Sequence, residues 1–310
     1  MHWGFTNDEL WILAAGALVA LSCSLVGCFL VLRKLSMLGD AISHSVLFGI
    51  VIAAILTGGR SLPILFLGAV LVGVLTAYLT FVLQDRARLQ EDASIGVTFT
   101  WLFALGVIGV SLYANQIDID QECVLFGEIA FLPFSTLTLG GIEWGPRGFY
   151  SLLACFVGLT LCMAVSWRRL VIVAFDSSFA QTVGIRTNVW HYLLMTAVSI
   201  TIVASFEAVG AILVVAMLTI PANIGLLIAR SVITMMLVAA GSALCAVFGG
   251  FLLARFYDAS VSAAMAIVAG VLLLLVVGFR LIYQRFMPSQ QLSCIAHQDQ
   301  LVRSESAEIL

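Results

Sequence analysis

Charge is scarce in this sequence. Its 310 residues include 14 Lys+Arg and 17 Asp+Glu, so 10% are charged while 62% belong to the apolar set. A soluble domain carries roughly a quarter charged residues. Too few polar side chains remain to wet the surface of a protein this size. That excludes a basic nucleic-acid-binding face, a disordered tail protein and a disulfide-stapled secreted domain. The net charge of -3 points to no partner. Lysine is nearly missing: Lys34 is the sole one, and it follows Arg33 rather than a glycine. No G-x-x-x-x-G-K-[ST] phosphate loop can exist, so the chain cannot itself hydrolyse ATP by that route. No H-E-x-x-H is present either, which argues against an embedded zincin-type protease. The seven cysteines form no C-x-x-C pair, and Cys23, Cys28, Cys155, Cys162 and Cys245 lie inside apolar runs. They read as small packing residues, with thiolate ligation at separate spans as the other reading. The N-terminus carries Asp8 and Glu9 and lacks the positive region of a cleavable signal.

What is abundant is uncharged apolar stretch, long enough and repeated often enough for an integral membrane protein. The charges punctuate it into runs at 10–32, 37–57, 61–83, 93–113, 149–167, 232–253 and 260–279. Residues 192–229 are nearly uncharged over a length that exceeds one helix of about 20 residues. They form either two tightly turned spans or one span plus a re-entrant piece, and Pro221 would suit the break. The stretch 114–148 is too polar for a simple span, although 124–139 could form an amphipathic or re-entrant helix. The expectation is an all-α bundle of eight or nine transmembrane helices, with nine preferred. Residues 1–287 form one membrane domain and 288–310 a polar tail, either solvated or docked on a cytoplasmic partner.

Alternating the spans puts Arg33, Lys34, Arg86, Arg88, Arg168, Arg169, Arg186, Arg230, Arg280, Arg285 and Arg303 on one side. Only Arg60, Arg147 and Arg255 fall on the other. By the positive-inside rule the first side is cytoplasmic, so the N-terminus faces outward and the C-terminal tail inward.

An ionisable group in the hydrocarbon costs at least about 2.5–3.5 kcal/mol on insertion scales, so each one calls for a reason. Asp40, His44 and Glu207 stand out. Asp40 and His44 are four apart, which in a helix places both side chains on one face, a turn apart. A carboxylate and an imidazole on one stripe suit Mn(II), Fe(II) or Zn(II); a self-satisfied Asp–His hydrogen bond is the alternative. One subunit offers two ligands where these metals take about four to six. A two-fold dimer with this helix at its axis would supply four, so the geometry predicts a site shared between subunits. Ser43 and Glu207 are candidate pore-lining residues, Glu207 either as an acidic waypoint or as the outer end of a helix hairpin. The acidic stretch from Asp118 to Glu143, which the alternation places outside, and an Asp/His pair within a span fit cation transport better than catalysis. A secondary transporter driven by an ion gradient is the alternative class, although it would need more intramembrane carboxylates than Asp40 and Glu207.

The run Val26-Gly27-Cys28-Phe29-Leu30-Val31-Leu32-Arg33-Lys34-Leu35-Ser36-Met37-Leu38-Gly39-Asp40-Ala41-Ile42-Ser43-His44-Ser45 resembles a family signature, "G-x-F-x-V-L-R-x-x-S-L-x-G-D-A-x-S-H". The family is that of the membrane permease subunits of bacterial manganese/zinc/iron ABC importers. Asp92-Ala93-Ser94-Ile95-Gly96 is similar to its D-x-x-x-G, and Leu125-Phe126-Gly127-Glu128 to its outer L-F-G-acid turn. Asp176-Ser177-Ser178-Phe179-Ala180-Gln181-Thr182-Val183-Gly184-Ile185 resembles its cytoplasmic D-x-x-x-A-x-x-x-G-I loop. The segment from Val209-Gly210 to Pro221-Ala222 is similar to its V-G-x-L-L-V-x-x-L-L-x-x-P-A run. Departing from the pattern, Asp258-Ala259-Ser260-Val261-Ser262 lacks the Pro and Gly expected before the last span.

The resemblance implies a bacterial inner-membrane permease that works as a dimer with an identical or paralogous second permease subunit. It implies Asp40 and His44 as metal ligands. It also implies Asp176, Phe179, Ala180, Gly184 and Ile185 in a coupling loop received by a separate ATP-binding cassette subunit. An extracytoplasmic metal-binding protein would deliver the ion. No permanently bound cofactor is expected, and the transported manganese, zinc or iron ion is the cargo.

Overall fold

The computed structural model describes residues 7–57, 62–113, 136–139 and 142–286, together with Ile129 and Leu132. In hydrocarbon every backbone N–H and C=O needs an internal partner, so apolar runs of this length become helices. Nine described helices are long and apolar enough to cross a membrane. They are α1 (Asn7–Leu32), α2 (Ser36–Thr57), α3 (Leu62–Ala87), α4 (Glu91–Tyr113), α5 (Arg147–Phe175), α7 (Thr187–Val209), α8 (Ala211–Ile228), α9 (Val232–Tyr257) and α10 (Val261–Phe286). Between α5 and α7 lies one short helix, α6 (Ser177–Thr182). The tail 288–310 and the outer turn at Leu125-Phe126-Gly127-Glu128 lie outside the described residues.

Helix α1 is the hub of the bundle, packing on α8, α9, α5 and α7. On one flank α2, α3 and α4 pack together, and on the other α8, α9 and α10 do so. Close backbone approach holds the first flank: a Cβ on Gly49 or Gly68 would strike the other helix's backbone where α2 crosses α3. Ser45 and Thr76 share a hydrogen bond of 2.7 Å beside that crossing.

The two ends of the bundle differ. At one end Cys28 and Val31 of α1 pack with Ala222 of α8 and with Met235 and Ala239 of α9, and Arg33 reaches His191 of α7. At the other end Arg255 of α9 pairs with Glu9 of α1 at 3.6 Å, and Trp11 stacks edge-on against Phe149 of α5. The first end therefore gathers Arg33, Lys34, Arg169, Arg186 and Arg230; Arg147 and Arg255 belong to the second. That is the segregation the charge pattern predicts.

Two expectations are corrected. The 192–229 stretch is indeed two helices, but the break is at Gly210 and not at Pro221. Gly210 has φ 79° and ψ 167°, a region essentially restricted to glycine. Pro221 instead sits inside α8. A proline removes one N–H but cannot by itself reverse a chain, and membrane helices tolerate it. The second correction concerns 124–139, expected as an amphipathic or re-entrant helix. Its end, Thr136–Leu139, is a strand, β1, paired antiparallel with β2 (Ile142–Pro146). The alternation Thr-Leu-Thr-Leu followed by two glycines is a hairpin signal that outweighs helical period. This hairpin leads directly into α5.

Candidate metal half-site and docking helix

Asp40 and His44 occupy the second and third turns of α2. At 1.5 Å per residue they lie about 6 and 12 Å along the axis from Ser36, Asp40 nearer the Arg33 end and His44 close to the middle of the helix. Gly39 lets this turn press against α8, because a Cβ there would run into the Leu218 side chain. Leu38, Ala41 and Ile42 are buried at 1%, 2% and 0% exposure. These contacts fix the rotation of α2 and turn Asp40 and His44 to its open side.

His44 Nε2 lies 3.5 Å from Asp40 Oδ1, with the side chains 37% and 47% exposed respectively. Two donors bound to one ion at about 2.0–2.2 Å with tetrahedral-to-octahedral angles sit roughly 3.0–3.5 Å apart. The observed spacing therefore fits adjacent ligation without a change of helix geometry. Among the described residues no group of three or more His, Cys, Asp or Glu forms within the chain. The pair alone therefore offers two donors, fewer than a divalent transition metal takes.

Ser43 is not part of this arrangement. It is buried, and its hydroxyl donates to the Gly39 carbonyl at 3.0 Å. Glu207 lies in the last turn of α7, away from α2's Asp40 turn in sequence order, and its side chain lies outside the described residues. Sequence reasoning missed the aromatic wall behind the imidazole. Phe99 and Phe103 of α4 have ring centroids 6.0 and 5.8 Å from His44. The signal was present as two Phe four apart in α4, but such spacing on an apolar helix also serves plain packing.

The segment 176–186 is built as a self-contained projection. Asp176 caps α6, its Oδ1 accepting from the backbone N–H of Ser178 and of Phe179, both at 2.9 Å. At the other end Gly184 has φ +82°. Its N–H donates to Gln181 O at 3.0 Å, and Ile185 N–H donates to Ala180 O at 2.9 Å. That pair of bonds is a Schellman termination, which needs a left-handed residue in the glycine's place. Ala180 is fully buried, while Phe179 and Val183 are 56% and 59% exposed. So Ala180 seats the helix and Phe179 is offered outward. Beside it is an open groove of about 550 Å³ lined by Arg169, Val183, Gly184, Ile185, Arg186, Val189 and Trp190. Arg169 stacks over the Trp190 ring at 5.4 Å.

The chain as a whole is similar to known proteins. The sequence pattern of the ABC 3 transport family matches residues 9–280. The chain belongs to that family. It is 45% identical over 264 residues to the manganese transport system membrane protein MntD of Bacillus subtilis, covering 85% of this chain and 89% of that one. It is 38% identical over 266 residues to the zinc transport system membrane protein TroD of Treponema pallidum, covering 86% and 72%. Among solved structures it superposes on PsaBC from Streptococcus pneumoniae in complex with Fab with a TM-score of 0.71. That match has 26% identity over 87% of this chain and 91% of that chain. Membership of an ABC transport family makes the chain a multi-pass membrane component of such a system. It leaves the gradient-driven secondary transporter without support.

Proposed function

We propose that this chain is the transmembrane permease of an ATP-driven importer that carries a divalent transition-metal ion, manganese, zinc or iron, into the cytoplasm. The observation that carries the reading is the convergence of Asp40 Oδ1 and His44 Nε2 at 3.5 Å on the open side of α2. A second permease subunit, identical or paralogous, brings the matching pair and completes the ligand set. The Arg33 end faces the cytoplasm, so the N-terminus is outside and the C-terminal tail inside. There α6 docks on a separate ATP-binding cassette subunit, since the chain holds no nucleotide-binding motif of its own. A metal-binding protein delivers the ion at the outer face. Lipid surrounds the exposed apolar faces of α4, α5 and α10, and no nucleic acid is involved.

The chemistry is that of two conformations with different affinities for one ion. Closure of the two ATPase subunits moves the paired α6 helices and with them the spacing of the two half-sites. With both pairs close, the sphere is complete and the ion is held. With the pairs apart, each half-site offers only two ligands and the ion leaves. Relatives named for manganese and for zinc transport fit a donor set that both metals accept. Asp40→Ala and His44→Ala should each abolish metal uptake by the reconstituted complex while insertion and ATPase docking persist. Uptake retained in both variants would remove the half-site.

A further inference from the structure

At the cytoplasmic end a polar contact outside the half-site and the docking helix joins the α1–α2 turn to α7. Arg33 lies in the turn between α1 and α2, and its Nη1 is 3.1 Å from Nδ1 of His191 in α7. A guanidinium has only donors, so Nδ1 must accept and the neutral ring carries its proton on Nε2. Phe81 of α3 lies on the same imidazole with a centroid distance of 5.2 Å. Burial of the guanidinium pulls its pKa below the usual value, which makes the imidazole lone pair the more important to it.

Both partners stand on stiff supports. After α1, Lys34 takes φ 62°, its N–H donates to Val31 O at 3.0 Å and Leu35 N–H donates to Leu30 O at 2.9 Å. This is again a Schellman turn, and Leu38 N–H to Leu35 O at 3.0 Å starts α2 directly from it. Arg33 is therefore rigidly placed seven residues before Asp40. On the other side, Gly184 ends α6, and Val189 N–H to Arg186 O at 3.1 Å begins α7. His191 sits in that first stretch of α7. A continuous solid path thus runs from α6 through α7, His191 and Arg33 to α2, closed by one directional, charge-assisted hydrogen bond. Apolar packing along the same path is non-directional and can slide.

We propose that the Arg33–His191 hydrogen bond is the positioning contact that transmits displacement of α6 to the metal-bearing turn of α2. It rests on the reading of α6 as the docking helix and of Asp40 and His44 as the half-site. The test uses the full importer, permease, ATPase and binding protein, reconstituted in vesicles with Mn²⁺ as the probe. ATP hydrolysis and Mn²⁺ uptake are read together. His191→Phe keeps a ring against Phe81 but no acceptor. It should hydrolyse ATP near the parent rate while uptake per ATP falls at least fivefold. His191→Asn places an amide oxygen close to where Nδ1 stood and should restore at least half of the loss. Parent-like coupling in His191→Phe, or equal impairment of the Phe and Asn variants, overturns the proposal. If His191→Phe does not assemble with the ATPase, Arg33→Met takes its place: a fivefold loss of uptake per ATP supports the link, and parent-like coupling overturns it. Asp40→Ala is run alongside: uptake retained there overturns the half-site itself, whereas its loss beside normal coupling in His191→Phe overturns the link alone.

Discussion

Asp40 and His44 owe their position to their neighbours rather than to each other. Gly39, Ala41, Ile42 and Ser43 bury one side of the segment, so Asp40 and His44 point to the open side. On the proposed reading, a carboxylate in that place would be tolerated because its charge is met by a cation for part of the cycle. Asp40→Asn keeps the shape and removes the charge, and uptake should fall at least tenfold. Glu207→Gln should cost less, because Glu207 belongs to the last turn of α7 before Gly210, on the far side of the membrane in the proposed orientation. Initial uptake rates at subsaturating metal compare the two directly. Equal losses would promote Glu207 to a ligand. Other polar side chains in the spans are quieter: Ser43, Thr76, Ser199 and Thr201 each return their hydroxyl to a carbonyl four residues back. A hydroxyl returned to its own helix in this way needs no partner along a pathway, whereas the Asp40–His44 pair also keeps 47% and 37% of its side chains exposed.

Among the elements, α6 shows how a short segment can hold its shape alone. Six residues are too few for a stable helix in water, yet Asp176 and Gly184 satisfy both ends. Replacing Gly184 by Leu forces a left-handed backbone on a branched residue, a cost of about 1–2 kcal/mol. Nothing lies within 4 Å of a Cβ there, so the damage is conformational rather than steric. The expected outcome is ATP hydrolysis that no longer drives uptake. Unchanged coupling would count against docking by this helix. At Gly210 the constraint is harsher: φ 79° and ψ 167° would cost Ala about 1–3 kcal/mol. Gly210→Ala should lower the thermal midpoint of the detergent-solubilised protein, whereas Pro221→Ala should leave the α7–α8 break in place. These contrasts also mark what the sequence made legible. The spans and their charged boundaries could be read, because hydropathy and charge act over a few residues, while the 176–185 segment stood out only by its resemblance to a family loop. The break was placed at the wrong residue because proline is the louder local signal. The Arg33–His191 contact joins positions 158 apart in sequence, and no local pattern announces such a pair. The Phe99 and Phe103 wall around His44 escaped for the same reason.

For the molecule as a whole, the decisive property is incompleteness. One chain turns two candidate donors outward, at 37% and 47% exposure, and its described residues gather no third. An ion held by one chain would leave about two to four coordination positions to water. In the proposed importer, a second chain related by a two-fold axis would supply the other Asp and His, and the affinity would depend on the distance between subunits. Hydrolysis at a separate ATPase would then release the ion without touching it. The purified permease dimer should therefore bind one Mn²⁺ per two chains. A dimer with Asp40→Ala in one copy alone should bind more weakly by at least tenfold. Equilibrium dialysis of the two preparations against Mn²⁺ decides it. One ion per chain, with full affinity kept in the mixed dimer, would mean that each subunit completes its own site. Transport would then need a different coupling from the opening and closing of a shared one.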